Sequence, residues 1–91
     1  MTSPDGPKLH AELRALRAEL DRSVAHNSPA RPRIEQLLRD LESHLEESGE
    51  EDRRQDLVGS LRSAVRHFET EHPRATAIMN DIMVVLSNMG I

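Results

Sequence analysis

Ninety-one residues with a formal net charge of -4 and no cysteine describe one small domain that has neither a disulfide nor a thiolate metal site to support it. Tryptophan and tyrosine are absent and Phe68 is the single aromatic of that class, so the core must be aliphatic and base stacking is excluded as a main binding mode. No stretch approaches the roughly 20 apolar residues of a membrane span, and MTSPDGP lacks the basic start and apolar run of a secretory signal, so a soluble cytoplasmic protein without membrane contact is expected.

Residues 1–7 are read as a disordered N-terminal segment and residues 8–91 as one helical domain, since no alternation of apolar and polar residues is long enough for a strand. The first helix is expected over about 8–25. Leu9, Leu13, Leu16, Leu20 and Val24 recur there at steps of three and four, which places them on one face. HNSPARP then ends the pattern, because two prolines cannot sit in a helix interior. Either Ser28 caps a second helix with Pro29 in its first position, or Arg31 precedes Pro32 in that role.

The second helix, about 29–48, carries Ile34, Leu37, Leu38, Leu41 and Leu45 as its stripe, with Glu35 and Arg39 paired outside. ESGEED breaks the chain again. Gly49 suits a helix end, and Glu50, Glu51 and Asp52 place negative charge at the positive start of a third helix over about 51–70. Leu57, Val58, Leu61, Ala64, Val65 and Phe68 form its apolar side. Gly59, Ser60, Ser63 and His67 make a flank of mostly small residues, read either as a close helix approach or as plain exposed surface.

A residue before proline is pushed out of the helical region, so His72 should be extended and Pro73 should open the fourth helix, about 73–89. The His72 ring can also accept an amide proton from that opening turn. Ile78, Met79, Ile82, Met83, Val85, Leu86 and Met89 cover an arc of roughly 160° at 100° per residue, wide enough to meet two neighbours. This face is expected to serve as core or oligomer surface. At its end, Gly90 in the left-handed conformation and Ile91 packed on Leu86 would close the helix as a Schellman cap.

The fold expected is therefore all-α: a small antiparallel bundle of four helices, or paired helical hairpins, completed by association into a homodimer or higher homo-oligomer because the core is small. Chemistry-bearing constellations do not emerge. The serines show no nucleophile elbow, the glycines Gly6, Gly49, Gly59 and Gly90 form no phosphate loop, and the histidines lack the one-turn spacing of a helical metal site. His44, on the edge of the second helix's stripe, is the one placed to titrate at an interface. No catalytic, cofactor-binding or metal residue is assigned, and no cofactor is expected.

Eleven arginines and Lys8 stand against sixteen acidic residues. Arg62 and Arg66 lie one turn apart with Arg53 and Arg54 ahead of them, yet the interleaved acids argue against nucleic acid as a partner.

The C-terminal stretch FETEHPRATAIMNDIMVVLSNMGI, through Phe68, Glu69, His72, Pro73, Met89, Gly90 and Ile91, resembles the closing pattern of a family of short bacterial proteins, the domain of unknown function DUF4404. LHAELRALRAEL is similar to that family's start. The resemblance implies a small helical fold and a bacterial source, and it implies no activity, cofactor or catalytic residue. The function expected from the residues is an uncharacterised helical adaptor, scaffold or regulator acting through contacts with an unknown protein partner. The alternative is a nucleic-acid-associated protein using the arginines of helices two and three.

Overall fold

A computed structural model describes residues 5–46 and 51–89, which form four helices: α1 (Asp5–Ser23), α2 (Ala30–Glu46), α3 (Glu51–Phe68) and α4 (Pro73–Met89). No strand occurs among the described residues. α1 starts three residues before the expected Lys8 and takes Pro7 into its first turn, where a missing amide hydrogen costs no intrahelical bond. Its last turn closes through the Ser23 hydroxyl, which donates to the Glu19 carbonyl at 2.9 Å, and through the Val24 amide on Leu20 at 3.1 Å.

Of the two starts open for α2, the structure takes Ser28. Its hydroxyl oxygen accepts the Ala30 amide at 3.2 Å, and its carbonyl accepts the Arg31 amide at 3.1 Å. That second bond occupies the carbonyl that a residue at position 32 would normally use. Pro32, which has no amide hydrogen to offer, is accommodated for that reason.

α3 ends at Phe68, whose carbonyl accepts the amides of Glu71 at 3.2 Å and His72 at 2.8 Å. α4 opens on Pro73 as its sequence requires. The His72 carbonyl receives the Thr76 amide at 3.0 Å, and the Thr76 hydroxyl donates to the Pro73 carbonyl at 3.0 Å. The His72 ring does not cap the helix; it lies against Phe68 with ring centroids 6.3 Å apart.

Each helix packs on two others in the order α1, α2, α3, α4 and back to α1, and no diagonal pair touches among the described residues. Ion pairing of Arg31 with Asp21 and of Arg17 with Glu42 shows α1 and α2 running in opposite directions. The molecule is thus an antiparallel four-helix bundle rather than two separate hairpins. Its radius of gyration, 12.6 Å, is close to the roughly 12 Å of a compact chain of this length.

The core is the set of stripes read from periodicity. Leu9, Leu13, Leu16, Leu20 and Val24 of α1 and the segment just after it meet Ile34, Leu37, Leu38 and Leu41 of α2 and Leu57, Leu61, Ala64, Val65 and Phe68 of α3 in one cluster. α4 adds Ala75, Met79, Ile82, Val85 and Leu86. Its most extensive contacts are with α1 and α3, as a wide apolar arc requires. Ile78 and Met83 are half-buried against the same cluster, and the Met89 side chain lies outside what is described, as do Gly90 and Ile91 of the expected terminal cap.

Candidate interaction groove between α2 and α3

The α4 residues expected to form a core or oligomer surface turn mostly inward. Met79, Ile82, Val85 and Leu86 are buried within the single chain, and Val84 is the exposed large aliphatic among the described residues, at 57%. With Val58, Met83 and Arg62 it borders a shallow cleft between α3 and α4. Within the chain this face packs on α1 and α3.

The larger opening lies elsewhere, between α2 and α3, with a volume of about 670 Å³. α2 presents Arg33, Gln36, Leu37 and Asp40 along it, the i, i+3, i+4, i+7 positions of one helical face. α3 answers with Asp56, Gly59, Ser60, Ser63 and Ala64. Leu37 and Ala64 are buried and form its floor, while the small residues of α3 keep one wall low.

Gly59 decides between the two readings of that small-residue flank. A methyl group added there would meet nothing within 4 Å, so the flank is exposed and does not mark a close helix approach within the chain. Gly59→Ala is accordingly expected to stabilise the fold by about 0.5–1 kcal/mol, because it removes backbone freedom from the unfolded chain without a clash. A thermal melt checks this; a lower melting temperature would mean that the site is not open.

At one end the groove continues into a cleft of about 460 Å³ lined by Arg33, Gly59, Arg62, Ser63, Arg66 and His67. Aromatic contacts steady this end. The Arg33 guanidinium stands 5.9 Å from the Phe68 ring centroid, and the His67 ring meets Phe68 edge-on with centroids 4.8 Å apart. Among the described residues no carboxylate lines this cleft. Three arginines elsewhere are ion-paired: Arg17 with Glu42, Arg22 with Glu19 at 3.6 Å, and Arg31 with Asp21 at 2.8 Å and Glu35 at 3.7 Å. The opposite end of the groove carries Asp40 and Asp56, where Asp40 accepts the Gln36 side-chain amide at 3.0 Å.

The family described as a domain of unknown function, DUF4404, matches residues 9–91. The chain belongs to this family. No curated protein and no solved structure matches it. The DUF4404 description carries no activity.

Other side chains in this DUF4404 chain hold less. His44 is buried at 3% exposure near the end of α2, and Glu19 at 5% on α1 is held by Arg22. Among the described residues no three His, Cys, Asp or Glu side chains come together as a metal site, and no helix is long and apolar enough to cross a membrane. Periodicity pointed to the small residues of α3 and to Arg62 and Arg66 but not to Arg33 and Asp40 as their counterparts on α2. Their seven-residue spacing was legible; which helix they would face was not.

Proposed function

We propose that the chain works in the cytoplasm without catalysis, as a small adaptor, scaffold or regulator whose partner is a protein lying in the α2–α3 groove. The observation that supports this most is the groove itself: small side chains and an aliphatic floor at its centre, arginines at one end and carboxylates at the other. A partner helix lying in such a groove is selected by close approach at the centre and by charge at the ends. Self-association belongs to the same reading, and the groove offers it more open surface than the α4 face does.

A photo-crosslinking residue at Ser63, in the groove, is expected to yield a discrete protein adduct in the native cell, identified by mass. The same residue at Arg14, exposed on α1, should yield none. Absence of an adduct at both positions, with the protein present, would overturn the reading.

One observation favours the nucleic-acid alternative: Arg33, Arg62 and Arg66 gather in one cleft of a single chain. Three phosphate contacts would give a slope of about -2.7 for the logarithm of affinity against the logarithm of salt concentration on duplex DNA. Asp40 and Asp56 in the adjoining groove oppose a polyanion that continues along it. A gel shift at low salt checks this, and no shift ends it.

A further inference from the structure

A chain with more acidic than basic residues nevertheless gathers three guanidinium groups in one cleft. Arg62 and Arg66 are one turn apart on α3, where like charges repel, and Arg33 joins them from the start of α2. None of the three is ion-paired with a carboxylate among the described residues. Arg33 stands instead over the Phe68 ring, which steadies its guanidinium without cancelling its charge. Asp40 and Asp56 line the adjoining groove and not this cleft.

Gly59 is a second, independent observation. A glycine inside a helix costs stability, and no close packing offsets that cost here, since an added Cβ would meet nothing within 4 Å. Side chains lean toward the N-terminus of their helix, so Arg62 and Arg66 reach back over the turns that begin at Gly59. The missing side chain leaves the cleft open on that side. Ser63 adds a hydroxyl and His67 an imidazole to the same walls.

From this convergence we infer that the cleft binds a compact phosphate dianion, either the free ion or the terminal group of a small phosphate monoester. The planar guanidinium offers parallel N–H donors that match two phosphate oxygens, which the point charge of a lysine does not. A phosphate carries up to about two negative charges, and suits three arginines better than a singly charged carboxylate. Its volume of about 460 Å³ is in the range of small-molecule sites. Phe68, the only Phe, Tyr or Trp of the chain, is buried, so none of these rings is free to stack on a nucleobase, and the acids of the adjoining groove repel a polyanion that extends along it. The inference goes beyond the protein-contact reading and stands without it.

Isothermal titration calorimetry of the full chain at low salt tests this, with inorganic phosphate and glycerol 3-phosphate as the two probes and acetate as the comparison. Saturable binding of one phosphate group per chain is expected, with none for acetate; the tighter of the two phosphate probes identifies the source. Arg33→Gln and Arg66→Gln should each weaken binding by about fivefold. Arg14→Gln removes the same charge from an exposed position on α1 and should leave the affinity unchanged. Gly59→Leu keeps every arginine and improves helix propensity, yet its side chain fills the cleft: binding is lost while the melting temperature stays at or above that of the wild type.

Absence of saturable binding to either phosphate probe overturns the inference. So does an affinity that Arg33→Gln and Arg66→Gln leave unchanged, that Arg14→Gln lowers equally, or that survives Gly59→Leu. An oligonucleotide that displaces phosphate with an affinity rising with its length would assign the cleft to nucleic acid and overturn the compact ligand.

Discussion

Ile82→Ala is expected to cost about 3–4 kcal/mol of stability and to lower the melting temperature by roughly 12–32 °C. Ile82 has no exposed surface and sits on α4, the helix that packs on both α1 and α3. Truncation removes buried methylene and methyl groups and leaves a cavity that three helices line, with little freedom to collapse. For a domain whose whole stability is on the order of 5–15 kcal/mol, that loss is a large fraction. Val84→Ala, two residues on, across the helix from Ile82 and 57% exposed, should change stability by less than about 0.5 kcal/mol.

This pair of variants also separates two uses of the α4 face. If Ile82 belongs to the interior of one chain, its loss is the same over a roughly hundredfold range of protein concentration. If the face were buried between chains, the deficit would vary with concentration. Equal melting of Ile82→Ala and wild type would show that α4 is not packed as the structure has it.

Most of the bundle was legible because its signals are local. A stripe such as Leu9, Leu13, Leu16 and Leu20 requires only the helical repeat to be read, and Ser28 with Pro29 marks a helix start through groups two residues apart. The wide arc of α4 announced a helix with two neighbours. Periodicity does not count how many neighbours one chain can supply; within this chain α1 and α3 are the two.

The groove was harder to read because it depends on which helices lie side by side. Gly59, Ser60 and Ser63 are visible as small residues, but their meaning turns on what stands opposite. Only the antiparallel pairing of α2 and α3 brings Arg33 to the arginines of α3 and Asp40 to Asp56. A charge pattern spread over two helices is invisible until their relative height is known.

Arg31 is the clearest residue that local reading missed, since it looked like a neighbour of Pro32 and little more. Its side chain is 13% exposed and joins the end of α1 to the start of α2. One terminal nitrogen donates to the Val24 carbonyl at 3.0 Å and lies 3.5 Å from the Leu20 carbonyl; the other donates to Asp21 at 2.8 Å. The last carbonyls of a helix have no partner within it and form the negative end of its dipole. Leu20 is already served by the Val24 amide, so the bond to Val24 matters most.

Arg31→Ala is therefore expected to destabilise the fold by about 2 kcal/mol, lowering the melting temperature by roughly 8–16 °C. Loss of the bond to the Val24 carbonyl accounts for most of this. The Asp21 side chain is 66% exposed, so its share is a few tenths of a kcal/mol at most, roughly, after solvent screening. Arg31→Lys keeps a positive charge but gives up the planar fork that serves carbonyl and carboxylate together, and should recover only part of the loss. High salt distinguishes the two contributions: it weakens the exposed pair with Asp21 and leaves the carbonyl bond largely intact, so the Arg31→Ala deficit should persist in it. A deficit that salt abolishes would make Arg31 an ordinary surface ion pair, and melting within about 2 °C of wild type would mean that it does not fasten α1 to α2 at all.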